Sequence, residues 1–361
     1  MSGKRRLETL RRQIDAIDDR LLELFSQRAR LAQEIAEIKR RLGEEDHFYR
    51  PEREAQILRR VKERNRGPLD GETVARLFRE IMSACLALER PLQVAFLGPE
   101  GTFTQQAAFK HFGHAISAQP YPTIEEIFRA VAALSCHFGV VPVENSSEGV
   151  VTHTLDNLLH TDLLIAGEIE LRIHHNLLSR AASLEEIGVV YGHEQAIAQC
   201  REWLDRFLPE VPRQPVSSNA EAARLAAKEP GAAAIAGEVA AELYGLEILE
   251  RNIENDPDNT TRFLVIGRYA VPPSGDDKTS IVISTGNYPG ALYHALAPFA
   301  ESGISMTKIE SRPSRRGVWD YVFFIDFEGH REDPKVAEAL ELLKERVQLF
   351  KWLGSYPKAV L

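Results

Sequence analysis

The sequence predicts a multidomain protein in which an all-α block is followed by an α/β block and then by an α+β block. Three observations predict this order. The 361 residues are enough for two or three domains. Residues 1–90 carry helical patterns alone, whereas strand and helix patterns alternate from residue 93 onwards. A linker with the sequence PPSGDD, at 272–277, precedes elements in the ferredoxin-like order βαββαβ.

The first block begins with one long amphipathic helix. Apolar residues recur in steps of three and four from Leu7 to Leu42, which is the a/d seam of a coiled coil. Ten of its eleven positions are apolar, and the other is Arg28. Because an unpaired buried charge is costly, Arg28 needs an anionic partner. That partner is either a protein carboxylate, with Arg28 setting the register of a coiled coil, or an anionic ligand.

Helix geometry relates two further cations, Lys39 and Arg11, to Arg28. Lys39 is about 20° around the helix from Arg28 and about 16 Å along it, so both side chains look onto nearly the same face. Arg11 is rotated by roughly 100° from Arg28, so it does not easily reach a pocket at Arg28 within the same helix. It would instead reach the pocket of a second, antiparallel copy. The helix, at about 54 Å, is too long to be covered by a small monomeric domain.

Two shorter helices complete the first block. One begins near Pro51, a good residue for a first helical turn, and stops at the Gly-Pro pair at 67–68. The next is capped by Asp70 and has an apolar side, and Pro91 closes the block.

The second block is predicted to be an α/β domain with a largely parallel sheet, or two such lobes. The loops GPEGTF, PVENSSEG and YGHEQ follow strands and would face a crevice. The predicted strands are 94–97, 138–143, 163–173, 189–191, 233–236 and 263–266, and the predicted helices are 105–112, 124–134, 196–207 and 220–228. In the third block we predict strands at 279–284, 306–311, 318–327 and 349–352, and helices at 290–302 and 335–347.

Composition narrows the classes of function. Residues 1–90 hold 21 Lys and Arg against 17 Asp and Glu, so this segment is basic in a chain of net charge −9 and suits an anionic ligand. Nucleic acid is disfavoured because acids interrupt the basic residues. The sequence has no apolar run of bilayer length and no secretion signal at its start. Its three cysteines lack CxxC spacing, which indicates free thiols in a reducing cytoplasm and no metal.

Six motifs support a family resemblance: GPEGTF (98–103), VVPVENSSEG (140–149), ELRIHHNLL (170–178), NTTRFLVIG (259–267), PGAL (289–292) and ESRP (310–313). With them the chain resembles, along its whole length, the bifunctional chorismate mutase/prephenate dehydratases of phenylalanine biosynthesis. The resemblance implies an all-helical, intertwined dimeric mutase domain at 1–90. It implies a two-lobed α/β dehydratase domain, similar to periplasmic-binding proteins, at 92–271, and a ferredoxin-like regulatory ACT domain at 278–361.

For the mutase, the resemblance implies that arginines grip the two carboxylates of chorismate while its ether rearranges, without a nucleophile or a cofactor. Lys39 would donate to the ether oxygen, and Glu54 would accept from the substrate hydroxyl. In full, the implied site comprises Arg28, Lys39, Arg53, Glu54 and Glu89, with Arg11 from the second copy, and Arg50 and Cys85 as substrate contacts. Three positions depart from the family: Glu89 replaces a frequent glutamine, Cys85 a small hydroxyl residue, and Arg50 an acid.

For the dehydratase, the resemblance assigns Thr261 as the donor to the hydroxyl that leaves prephenate. Asn145 and Gln199 match polar residues of the family site, and His193 is the alternative acid. Substrate contacts are expected from Thr102, Ser146 and Arg262, whereas Gly192 stands where some relatives have a serine. In the ACT domain, the implied phenylalanine pocket lies at a subunit interface and comprises Gly290, Ala291, Leu292, Glu310, Ser311 and Arg312.

The sequence also bears on two other classes of function. A fusion of the mutase with a dehydrogenase needs a dinucleotide fingerprint, and no GxG occurs in the chain. The non-enzyme alternative is a ligand-sensing regulator with a basic helical head, but a helix-turn-helix is not evident. We therefore expect a cytoplasmic homodimer or higher homo-oligomer that takes chorismate, prephenate and phenylalanine. We expect no cofactor, nucleic acid or membrane partner.

Overall fold

A computed structural model of the chain describes residues 3–43, 49–313 and 321–361. The three blocks follow one another in the predicted order: helical, two-lobed α/β, and α+β. Within these residue ranges, no helix has both the length and the apolar character needed to cross a membrane.

The helical block consists of α1 (Gly3–Leu42), α2 (Pro51–Arg64) and α3 (Gly71–Ala87). In α1 Ala36 is buried, whereas the ten apolar residues of the predicted seam are 42–67% exposed. A single chain therefore leaves this seam open to solvent. Asp70 begins α3 as predicted, because its carboxylate accepts a hydrogen bond of 2.8 Å from the backbone N–H of Thr73.

Helices α2 and α3 pack against the C-terminal end of the chain. Leu58 is fully buried in a small cluster to which Val360 and Leu361 contribute. Lys62 Nζ donates to the carbonyl of Val360 at 2.9 Å, and Arg59 donates to the carbonyl of Asp276 at 2.6 Å. The first and third blocks are thus in direct contact.

The middle block alternates strands and helices. Its strands are β1 (Gln93–Leu97), β2 (Ser117–Tyr121), β3 (Phe138–Asn145), β4 (Gly149–Val150), β5 (Leu164–Arg172), β6 (Asn176–Ser179), β7 (Val189–His193), β8 (Arg213–Val216), β9 (Ala232–Ala236), β10 (Glu247–Glu250) and β11 (Thr260–Gly267). Its helices are α4 (Phe103–Phe112), α5 (Ile124–Ala132), α6 (Thr152–His160), α7 (Glu194–Gln199), α8 (Arg201–Phe207), α9 (Asn219–Ala226) and α10 (Glu238–Tyr244). The helix predicted at 196–207 is therefore two helices, which meet at Cys200.

These strands form two sheets, one in each lobe. The first lobe has the order β2-β1-β3-β11-β5, with β4 beside β3, and the second has the order β10-β6-β9-β7-β8. The prediction of two lobes is confirmed, but that of a largely parallel sheet is wrong. Strand β11 returns from the second lobe and pairs antiparallel with both β3 and β5, which makes the first sheet mixed. The chain crosses between the lobes after β5 and again before β11.

The third block has strands β12 (Asp277–Ser284), β13 (Met306–Pro313), β14 (Tyr321–Glu328) and β15 (Leu349–Pro357), with α11 (Ala291–Glu301) and α12 (Pro334–Lys344). The antiparallel order β13-β14-β12-β15 is the predicted ferredoxin-like arrangement. Of the strand predicted at 318–327, residues 318–320 lie outside the described residues.

Both faces of β12, a central strand of the third sheet, are buried. Ile281 and Ile283 face the two helices, whereas Val282 between them joins the hydrophobic core of the first lobe. The approach of β15 to β5 is close, since a Cβ on Gly354 would lie 2.3 Å from the carbonyl oxygen of Ile165. The third block is therefore packed directly onto the sheet of the first lobe.

Candidate active sites

A polar crevice lies between the two lobes of the middle block. It is formed by the end of β3, the start of β11 and helix α7, and its cavity has a volume of about 340 Å³. Of the residues predicted for the dehydratase site, Asn145, Gln199, Thr261 and His193 line this cavity. Residues that the sequence did not single out also line it: Thr104, Glu148, His175, Gln195 and Asn259.

The centre of the crevice is a hydrogen bond between Asn145 and Thr261. These residues are opposite each other on β3 and β11, and Asn145 Nδ2 donates to Thr261 Oγ1 at 2.8 Å. The same nitrogen donates to Asn259 Oδ1 at 2.8 Å, which fixes the orientation of the amide. Because Thr261 Oγ1 accepts from Asn145, the threonine keeps its own hydrogen to donate to a ligand.

A chain of amide and imidazole groups extends from this pair to the second lobe. Asn259 Nδ2 donates to Gln199 Oε1 at 3.2 Å, and His175 Nε2 lies 2.9 Å from the same oxygen. Because Gln199 Oε1 can only accept, His175 carries its hydrogen on Nε2. Among the described residues nothing hydrogen-bonds to its buried Nδ1. Burial lowers the pKa of His175, while the hydrogen bond with Gln199 and the charge of Glu254 oppose this, so we take its imidazole as neutral.

Two of the predicted substrate contacts have local structural partners instead. Ser146 Oγ accepts from the backbone N–H of Thr260 at 3.0 Å, which closes the loop between β3 and β4 onto β11. Thr102 Oγ1 donates to the carbonyl of Leu97 at 2.9 Å and borders a neighbouring cavity of about 340 Å³. His193 caps α7, with Nδ1 accepting from the backbone N–H of Gln195 at 3.4 Å.

Arg262, which the sequence predicts as a substrate contact, does not line the crevice. Successive residues of a strand point to opposite faces, so Arg262 points away from the crevice that Thr261 lines. Its guanidinium pairs with Glu168 at 3.0 Å and with Asp326 of the third block at 2.7 Å. Arg262 thus belongs to the contact between the second and third blocks.

A second candidate site lies in the helical block, where α1, α2 and α3 meet. Glu54 Oε1 is 2.9 Å from Arg79 Nη1, and the side chains are 13% and 8% exposed, respectively. Burial raises the pKa of Glu54, whereas the positive charges of Arg79 and Arg28 lower it. The structure thus brings together the predicted residues Arg28 and Glu54 and adds Arg79, which sequence reasoning missed. Arg79 lies on the buried face of α3 with Ala75 and Met82, and no pattern in the sequence indicated its role.

The other residues predicted for the mutase occupy different positions around this pair. Lys39 is half-buried on α1, Glu89 is half-buried just after α3, and Cys85 is buried within α3. Arg53 and Arg50 are exposed, and Arg50 Nε donates to Glu52 Oε1 at 2.5 Å. Arg11 is exposed and lies about 25 Å along α1 from Arg28, too far to serve the same site in one chain.

The residues predicted to bind phenylalanine lie at two places in the third block. Gly290 precedes α11 with a φ of +84°, a left-handed conformation that favours glycine, and Ala291 and Leu292 form the first turn. Glu310 and Ser311 lie on opposite faces of β13. Arg312 pairs with Asp156 of α6 at 3.0 Å, so its side chain is used in a contact with the first lobe.

The fold and the two sites define a multidomain enzyme that acts on small molecules and carries a ferredoxin-like third domain. The family models for "Chorismate mutase type II", "Prephenate dehydratase" and "ACT domain" match residues 10–90, 94–270 and 279–343, respectively. The chain is 56% identical, over 100% of both sequences, to the bifunctional chorismate mutase/prephenate dehydratase of Pseudomonas aeruginosa. It therefore belongs to the family of bifunctional chorismate mutase/prephenate dehydratases.

Two solved structures are similar to this chain. The prephenate dehydratase of Arthrobacter aurescens in complex with L-Phe is 36% identical, with a TM-score of 0.67, over 73% of this chain and 89% of that chain. A structure described as a novel type of quorum quenching acylase is 31% identical, with a TM-score of 0.69, over 74% of this chain and 98% of that chain.

Proposed function

We propose that this protein converts chorismate to prephenate in its helical block and prephenate to phenylpyruvate in the crevice, with feedback inhibition by phenylalanine. The observation that carries the proposal is the hydrogen bond from Asn145 to Thr261, because it leaves the threonine its own hydrogen to donate to a ligand. The dehydratase needs such a donor at its departing hydroxyl group.

In the dehydration, the bond between the ring and the carboxylate of prephenate breaks and releases carbon dioxide. Its electrons form the aromatic ring and expel the hydroxyl group at the opposite position. Thr261 donates a hydrogen bond to that oxygen as it gains negative charge. A threonine hydroxyl is a weak acid, so we assign it hydrogen-bond donation and the relay of a proton from solvent, with which the hydroxyl group leaves as water. Asn145 and Gln199 fix the polar surface around it.

In the rearrangement of chorismate, the site must hold a flexible dianion in one cyclic geometry while the ether C–O bond breaks and a C–C bond forms. Arg28 binds a carboxylate, Lys39 donates to the ether oxygen and Glu54 accepts from the substrate hydroxyl. Arg11 comes from a second copy. The dimer is supported by the exposed apolar seam of α1, which a second copy would cover.

Phenylalanine is proposed to bind the third block beside Gly290. The backbone N–H groups that begin α11, an 11-residue helix, suit the carboxylate of an amino acid. Ala291, Leu292, Glu310 and Ser311 would complete the pocket at a subunit interface. We also propose a cytoplasmic location, in keeping with three free, buried cysteines.

The test is to incubate the pure full-length protein with chorismate alone. Phenylpyruvate should form without an added cofactor, prephenate should appear before it, and phenylalanine should slow the second step. Formation of prephenate without phenylpyruvate would refute the proposed dehydratase activity. Persistence of chorismate would refute the proposed mutase activity and leave the conversion of chorismate to phenylpyruvate without support. Gly290→Val should abolish the effect of phenylalanine, since a side chain at a φ of +84° is strained. We prefer it to deletion of the third block, which would uncover the core of the first lobe.

A further inference from the structure

The ladder between β3 and β11 carries two neighbouring cross-strand pairs that face opposite ways. Thr261 lies opposite Asn145, and Arg262 lies opposite Glu144. Because side chains alternate along a strand, the first pair faces the crevice and the second faces away from it. Each residue of the crevice hydrogen bond is therefore linked through the backbone to a charged residue on the far face.

Arg262 is held by two strands of the ACT domain. Its Nη1 donates to Asp326 Oδ2 on β14 at 2.7 Å, and its Nη2 donates to the hydroxyl of Tyr356 on β15 at 3.2 Å. Its Nε donates to Glu168 on β5, to which Lys278 of β12 also donates. The side chains of Arg262 and Asp326 are only 13% and 12% exposed, so water screens this cluster poorly.

Glu144 is held by the third strand of the same domain. Its carboxylate accepts a hydrogen bond of 2.7 Å from Lys308 Nζ on β13, and the lysine side chain is 13% exposed. Lys308 and Glu310 are two positions apart, so they share one face of β13. This strand therefore carries both a residue proposed for the phenylalanine pocket and the partner of Glu144.

We propose that Arg262 and Glu144 are positioning residues through which the ACT domain sets the geometry of Thr261 and Asn145. A shift of the ACT sheet on binding phenylalanine would move the far-face pair, and the shared backbone would change the direction in which Thr261 donates. The effector then alters dehydration without touching the substrate. This inference rests on the proposed function, since it assigns the connection between its catalytic and regulatory sites.

A purely structural ion cluster makes a different prediction. Breaking it would lower stability but leave unchanged the ratio of dehydratase rates without and with phenylalanine. That ratio, measured at saturating prephenate, therefore separates the two explanations. Mutase activity and thermal melting of the same samples report whether each variant is folded.

The decisive variants first remove and then exchange the charges of the pair Glu144 and Lys308. Glu144→Gln and Lys308→Gln should each lower kcat more than they change KM, and should reduce the effect of saturating phenylalanine by at least about 5-fold, the lower end of ordinary allosteric coupling. The double variant Glu144→Lys/Lys308→Glu restores an ion pair and should recover both kcat and the response. Single variants that retain the wild-type response, or a double variant no better than either single variant, would overturn the proposal.

Two further variants provide a second test and a matched control. Arg262→Lys keeps the charge but loses the planar fork that reaches Asp326 and Tyr356 together, so it should also weaken the response. Lys351→Gln is the matched control. Lys351 donates across the same domain contact to the carbonyls of Leu158 and Leu159 at 2.9 and 3.0 Å, at the end of α6, and its loss should leave the response intact.

The experiments distinguish a failure of the proposed feedback inhibition from a failure of the proposed positioning role. If phenylalanine has no effect on the wild-type enzyme, the proposed feedback is wrong. Recovery of kcat in the charge-exchanged variant would then still support positioning by Glu144, and equal kcat values in the wild type and all the variants would refute it.

Discussion

Thr261→Val is the sharpest test of the dehydratase mechanism. Valine keeps the branched shape of threonine at a residue that is only 9% exposed, and it removes the hydroxyl. We expect kcat for prephenate to fall by at least about 100-fold, the lower end of what positioned acid–base groups supply. That fall corresponds to about 2.7 kcal/mol of lost transition-state stabilisation.

The structure also gives the cost in stability. Asn145 Nδ2 donates to Thr261 Oγ1 and to Asn259 Oδ1, each at 2.8 Å. The valine variant keeps the second bond and leaves one N–H of the half-buried Asn145 without its protein partner, which costs at most about 1–3 kcal/mol because water can enter the crevice. Thr261→Ser keeps the hydroxyl, so it should retain both this bond and most of the activity.

The assay is the appearance of phenylpyruvate from prephenate, with mutase activity of the same sample as the internal control. Mutase activity should be unchanged, because the helical block does not use Thr261. A valine variant with dehydratase turnover within about 3-fold of wild type would refute the reasoning, since loss of a required donor costs far more. His193, which borders the same crevice, would be the next candidate.

Two further predictions concern the mutase. A fragment of residues 1–90 should dimerise and convert chorismate to prephenate, and a folded but inactive fragment would contradict this. The fragment should melt at a lower temperature than the mutase in the full chain, because Leu58 loses its contact with Val360 and Leu361. Glu89→Gln should raise mutase turnover near neutral pH, since an amide can donate to the ether oxygen and an ionised carboxylate cannot. Equal turnover in the wild type and the variant would show that Glu89 does not contact the ether oxygen.

The sequence predicted the three blocks because their patterns differ in period. It missed short elements with no clear pattern, among them β2, with the sequence SAQPY, and β6, with four residues. It also missed the antiparallel insertion of β11, which depends on where the chain returns from the second lobe. A pattern along the sequence does not determine the neighbours of a strand in its sheet.

The difference between the predicted and the observed surroundings of Arg262 has a similar origin. A motif such as TRF gives residue types, but only the faces of the strand decide which of its side chains meet the substrate. Thr261 and Phe263 line the crevice, and Arg262 between them does not. The period of two was already visible in the sequence, so alternation could have corrected the assignment. The partner of Glu54, by contrast, required the packing of α2 on α3.

That partner, Arg79, leads to a prediction about pH. Burial raises the pKa of Glu54 and the charges of Arg79 and Arg28 lower it, with burial the larger effect. If the ionised carboxylate accepts from chorismate, mutase activity should fall with decreasing pH earlier than an ordinary glutamate would cause. Arg79→Gln removes one opposing charge, so it should move the acid limb of the mutase profile to still higher pH. Arg79→Lys should move it less.

The free energy of unfolding of Arg79→Gln should also depend on pH in a definite direction. A group whose pKa is higher in the folded state than in the unfolded state binds protons more tightly when folded, so stability falls as pH rises through the folded pKa. Arg79→Gln leaves the ionised Glu54 buried without its 2.9 Å partner, a change that costs about 3–5 kcal/mol for buried pairs. The loss should be larger at high pH than at low pH, where protonation of Glu54 relieves it. An acid limb and a stability difference that both match wild type would show that Arg79 does not control the charge of Glu54.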